Sequence, residues 1–261
     1  MKSLRLFFPF VNFAVKRELE FRFNLMFFLF FDLLWILVSL LGVILIFNQA
    51  GTVAGWTKTE AILLLLVYYL AGSAIKSFVI PATEELSELI RLGKLDLFLL
   101  KPMGLRTLVM FSHMYLHEMF RFVLMVFAVP WYLGMNHIVV QPEQWFKFLI
   151  LIVVGCIGFT GVYFAVAALS FKFQYLFNLS DFFREALDVA KRPLDIFPGF
   201  FRSIVTFGLP VGLVASIPAR VLLNDVNWVF VFKSVGAIAV TFLLTDIFFR
   251  FCLRSYSSAS S

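Results

Sequence analysis

The stretch HMYLHEMFR, residues 113–121, gathers the side chains most capable of chemistry. His113 and His117 stand four apart, the spacing at which two imidazoles on one helix face can share a metal. No third ligand is evident nearby and the order is not His-Glu-x-x-His, so no metal site is expected. Glu118 and Arg121, three apart, suit a structural ion pair. Together with His117 they can instead form the polar lining of a transport path. Asp32 and Asp246 lie in other apolar runs. Asp246 has Arg250 four residues on. Asp32 has no local partner and must find one on another helix; with His117, Glu118 and Arg121 it completes the set of candidate path residues. Lys76 and Lys233 sit near the ends of apolar runs, where a lysine can snorkel. No Gly-x4-Gly-Lys-Ser/Thr occurs, so phosphates cannot be cradled by that route. No cluster of nucleophile, base or metal ligands suggests an enzyme.

The elements that must hold these groups are membrane helices. Of 261 residues, 62% are hydrophobic, 36 are Phe and only 15% are charged; a soluble domain carries about 25% charge. Apolar runs of about 20 residues recur, the length of a spanning helix, and barrel-like alternation is absent. The reading is an all-α polytopic membrane protein, a single bundle over 1–261. Spans are expected at 25–47, 59–80, 107–133, 145–171 and 228–250. Glu118 would then lie about eleven residues into the third, near mid-bilayer at 1.5 Å per residue. Gly158, Gly161, Ala165 and Ala168 make a small-residue packing stripe in the fourth. Cys156 and Cys252 sit in or beside apolar runs and are not expected to pair. The N-terminal stretch has no small-residue cleavage site and reads as retained.

The net charge of +6 is not a nucleic-acid signal, because no basic cluster with interleaved aromatics occurs. Lys and Arg concentrate in the N-terminal segment, in loop 81–106, in 172–203 and in the tail. The alternate loops hold only Lys58 and Lys147. The positive-inside rule puts both termini and loop 81–106 in the cytoplasm. The stretch 173–203 is charged throughout, and a charge at the centre of a lone helix costs about 2.5–3.5 kcal/mol. It either lies on the interface, with 204–222 as fifth span, or spans with its charges facing protein or water. The pairs Asp181/Arg184 and Arg184/Asp188 soften the second option. Both arrangements give six helices; charge counting prefers the first.

Loop 81–106 is more than a connection. Pro81 is expected to stop the second span, and Thr83 to cap a new helix with Glu84 and Glu85 in its first turn. Leu86, Leu89 and Ile90 share a face opposite Glu84, Glu85, Glu88 and Arg91. Gly93 sits where a helix stop belongs. Asp96 can cap a second short turn that Pro102 ends. The outcome is a short helix lying flat on the cytoplasmic surface, either a simple anchor or a docking element.

The motif SELIRLGKLDLFLLKP resembles the corresponding loop of the ABC-2 type transporter permeases, in a subgroup linked to drug export. Gly93, Leu95, Asp96, Leu99, Leu100, Lys101 and Pro102 carry the likeness. RELEFRFNL resembles the family's N-terminal connecting helix, RPLDIFPGFFRSIVTFGLPVGLVASIPARVLL its Pro-rich block, and YSSAS its usual ending. The segment 173–192 is more charged than the family's fifth helix. The resemblance implies a connecting helix within 1–24, a coupling loop at 82–102, a fifth span at 174–192 and a re-entrant segment within 193–222. It implies that Glu84, Glu85, Glu88, Arg91, Gly93, Leu95, Asp96, Leu99, Lys101 and Pro102 meet a separate ATPase. ATP and Mg would bind there, and no cofactor on this chain. It further implies a second permease subunit, a bacterial cytoplasmic (inner) membrane, and export of an unidentified cargo such as a lipid or amphiphilic drug. The competing reading is an ion- or proton-coupled transporter using Asp32, Glu118 and Arg121.

Overall fold

A computed structural model describes residues 12, 15, 16, 19, 20, 22–101, 103–172, 179–224 and 226–254. Pro102, most of the expected connecting helix, residues 173–178 and the YSSAS ending lie outside them. Every extended element described is helical, and five helices are long and apolar enough to cross a membrane. These are α1 (Arg22–Ala50), α2 (Lys58–Arg91), α5 (Leu116–Met135), α6 (Pro142–Ala167, prolonged by a 3-10 turn Ala168–Phe171) and α11 (Trp228–Arg254). Shorter helices are α3 (Leu95–Leu99), α4 (Leu105–Ser112), α7 (Leu179–Asp188), α8 (Gly199–Ser203), α9 (Val211–Val214) and α10 (Ser216–Leu223).

Helix α2 is the central post, buried along most of its length, whereas α1 is exposed over most of its surface. Its start is a capping box. Thr57 Oγ1 accepts from Glu60 N–H (3.4 Å), and Glu60 Oε2 accepts from Thr57 N–H (2.8 Å). Its end is at Gly93, whose φ of +65° suits the residue without a Cβ. There Lys94 N–H returns to Leu89 O (2.9 Å), closing the turn. The glycine stop is where the sequence puts it.

The expected break at Pro81 is not there: α2 runs through it without interruption. Pro81 has no N–H to give Ser77 O four residues back. That carbonyl instead accepts Tyr115 N–H at 3.1 Å. Thr83 is no cap; its hydroxyl donates back to Val79 O (3.2 Å) and Ile80 O (2.9 Å). Glu84 and Glu85 therefore sit deep in a long helix, not in a first turn. Asp96 likewise lies inside the first turn of α3 and not at its cap.

The same bond explains a second correction. The run 107–133 is not one span, because the chain is extended at His113 and Tyr115 and divides it into α4 and α5. Glu118 consequently lies in the first turn of α5, not mid-helix.

The charged stretch and the Pro-rich block are described over 179–224. The described part of helix α7 covers the 10 residues Leu179–Asp188, about 15 Å of rise. A 3-10 turn (Val189–Lys191) continues it. Its contacts run antiparallel to α2, with Arg184 at Glu84, Asp188 at Lys76 and Tyr68, and Asp195 at Trp56. The chain then turns back. Pro210 reaches Gly158 of α6, Leu213 reaches Gly155, and Val221 O accepts from Gln144 Nε2 (3.2 Å). Arg184 and Asp188 do not pair as the sequence suggested; Arg184 holds Glu84 and Asp181 instead.

The small-residue stripe packs within the chain. A Cβ on Gly158 would come within 2.9 Å of Ile238 Cδ1, and one on Gly161 within 2.8 Å of Thr245 Oγ1, so α6 and α11 touch closely there.

Candidate functional site

Arg121 projects from the second turn of α5 into the bundle, and three acceptors surround it. Nε donates to Ser73 Oγ of α2 (2.9 Å), Nη1 to Asp32 Oδ1 of α1 (2.8 Å) and Nη2 to Glu118 Oε2. Arg121 and Glu118 are buried, and Asp32 nearly so. The structure thus supplies the distant partner that Asp32 required. It joins the Glu118–Arg121 pair and the candidate path residues into one site. A buried pair is costly to break, about 3–5 kcal/mol when one partner is removed.

Next to it lies a second, half-buried pair that sequence reasoning missed. Lys76, taken as a snorkelling residue, instead points inward. Its ammonium meets Asp188 Oδ1 (3.4 Å) and Tyr68 Oη (3.2 Å), and Lys191 reaches Asp188 Oδ2 (2.7 Å). The available signal was a lone lysine near the end of an apolar run. Nothing in spacing could name its partner.

His117 lies between aromatic rings, stacked on Phe28 at 4.9 Å and on Tyr115 at 5.4 Å between centroids. His113 has turned away with the break in the chain and meets Glu85 Oε2 at 3.2 Å. The two imidazoles do not share a helix face. Beside His117 opens a cleft of 470 Å³, whose walls include Phe28 of α1, Lys76 and Ile80 of α2, His117 and Glu118 of α5, and Arg184 of α7. It has the size of a small-molecule pocket and both polar and apolar walls.

The loop residues divide into three groups. Glu84 accepts from Tyr115 Oη (2.6 Å) and from Arg184, Glu85 holds His113, and Leu95 is buried. These brace the chain internally. Glu88 and Arg91 form an exposed pair at 3.6 Å, and Leu99 and Lys101 also face outward. Gly93 and Asp96 are half-buried. Leu97 and Leu100, 63% and 83% exposed, add an apolar surface that the charged residues had hidden from view. Lys101 lies over the Phe98 ring at 4.2 Å. At the same end, Arg106 and Arg250 both hold Asp246, at 2.9 and 2.7 Å, tying α4 to α11.

A multi-pass helical membrane protein with a buried ion-pair network and an exposed apolar rim at one end is the class these features define. The chain belongs to the ABC-2 family transporter proteins: that family's model matches residues 33–260. It is therefore a membrane permease of the ABC transporter type, a transport subunit. A search of the curated proteins finds no match.

Proposed function

We propose that this chain is the membrane subunit of an ATP-driven exporter in a bacterial inner membrane, with both termini and the Gly93 end in the cytoplasm. The distribution of Lys and Arg supports that orientation. A separate ATPase, carrying ATP and Mg, would dock on Glu88, Arg91, Leu97, Leu99, Leu100 and Lys101. Two permease subunits and two ATPases would make the transporter. In this frame 179–195 crosses beside α2, and 193–222 enters from the outer side and returns.

The observation that carries the reading is the continuity of α2. One rod joins the exposed pair Glu88–Arg91, at the start of the rim, to Lys76, Ser73 and Tyr68 of the ion-pair network. A push on Glu88 and Arg91 would be delivered to the ion pairs along one unbroken helix. The cleft beside His117, with cationic and apolar walls, suits an amphiphilic cargo.

The test is co-purification. Leu97→Ser with Leu100→Ser removes only exposed apolar surface, so the variant folds and is expected to lose its ATPase in mild detergent. Alanine at Glu88, Arg91 and Asp96 together is expected to leave hydrolysis running without transport; normal transport by that variant overturns the reading. The buried acids Asp32 and Glu118 favour one alternative, proton-coupled transport. Cargo movement that survives ATP depletion under a proton gradient would establish it instead.

A further inference from the structure

We infer that Asp32, His117 and Glu118 form a binding site for one first-row divalent transition metal, in the class of zinc, cobalt or manganese. One ligand atom from each residue lies within 4.8 Å of the other two. Three features point beyond a closed ion-pair cluster. First, Asp32 Oδ2 is fully buried and has no hydrogen-bond partner, a costly condition for a carboxylate oxygen. Second, among the described residues neither ring nitrogen of His117 makes a hydrogen bond, although its ring is held by Phe28 and Tyr115. Third, His117 and Glu118 line the open cleft, so an ion has a way in.

Arg121 does not fill the site. It takes Asp32 Oδ1 and Glu118 Oε2, which fixes both carboxylates and leaves a second oxygen on each. One guanidinium thus serves two carboxylates. Lys76 and Arg184, the other cations lining the cleft, are paired with Asp188 and with Glu84. An imidazole with two carboxylates suits a borderline metal; magnesium and calcium prefer oxygen alone. Ligand bonds of about 2.1 Å ask each atom to move inward by under about 1 Å, within reach of side-chain rotation. The site stands whether or not the cleft carries cargo.

The test uses the full chain purified in mild detergent, stripped with chelator and titrated with Co²⁺, followed by visible absorption and equilibrium dialysis. The expected result is one Co²⁺ per chain, displaced by Zn²⁺. His117→Phe keeps the aromatic stack and is expected to weaken binding at least tenfold, as is Asp32→Asn. His113→Phe is expected to bind like the parent. No stoichiometric Co²⁺ on the parent chain overturns the proposal, and so does full binding by His117→Phe that elutes as the parent does. Should Asp32→Asn misfold, the His117 variant alone decides. None of these readouts depends on transport or on an ATPase.

Discussion

The backbone N–H of Tyr115 donates to Ser77 O at 3.1 Å, the carbonyl that Pro81 leaves without its helical donor. This one bond joins two helices and has two consequences. It lets α2 continue past a proline, and it holds the chain extended between α4 and α5. The side chains reinforce it, with Tyr115 on Glu84 and His113 on Glu85. The lower half of α2 is thereby clamped to the entrance of α5, beside the buried network.

Removing the clamp's phenol should weaken it measurably. Tyr115→Phe loses a 2.6 Å hydrogen bond to a carboxylate, worth about 1.5–3 kcal/mol for a charged partner. Thermal unfolding in detergent should show a lower midpoint. Glu84→Ala should cost more, since it also removes one of the two carboxylate partners of Arg184. Equal midpoints for the two variants would mean that Arg184 contributes nothing at this joint.

Arg121 is predicted to be indispensable only while its acids are charged. Arg121→Met leaves Asp32 and Glu118 unpaired, at about 3–5 kcal/mol. Adding Asp32→Asn and Glu118→Gln removes the stranded charges and should recover much of that loss. A triple variant no more stable than Arg121→Met would show that the arginine acts by packing and not by charge.

Two glycines should respond oppositely to a methyl group. At Gly155 a Cβ would be built into the Leu213 carbonyl oxygen, backbone that cannot swing aside, while at Gly236 nothing lies within 4 Å. Gly155→Ala is expected to destabilise by about 1–3 kcal/mol or more through overpacking. Gly236→Ala should be neutral or slightly stabilising in a helix interior. Thermal melts of the two variants in one detergent compare them directly.

Asp195 is expected to pin the returning segment. Its carboxylate accepts from Trp56 Nε1 (2.8 Å), Arg202 (3.0 Å) and Arg220. Asp195→Ala leaves two arginines facing each other and removes the link to the start of α2. Trypsin should then cleave after Arg202 faster than in the parent. An unchanged cleavage rate would show that the surrounding apolar packing holds 193–222 by itself.

The sequence by itself determined the class of this protein. Runs of about 20 apolar residues admit only helices in lipid, because each backbone polar group must be satisfied within its own segment. Gly93 marked its helix stop through its own conformational freedom, and the loop motif marked the family. The tertiary structure decided everything that depended on a partner remote in the chain. Pro81 reads as a stop until Tyr115 takes up the freed carbonyl. Asp32, Lys76 and His113 are isolated polar groups until Arg121, Asp188 and Glu85 reach them. Glycine acts through the local backbone and can be read in place, whereas a stranded carbonyl or a buried charge is settled by whichever group the fold brings to it.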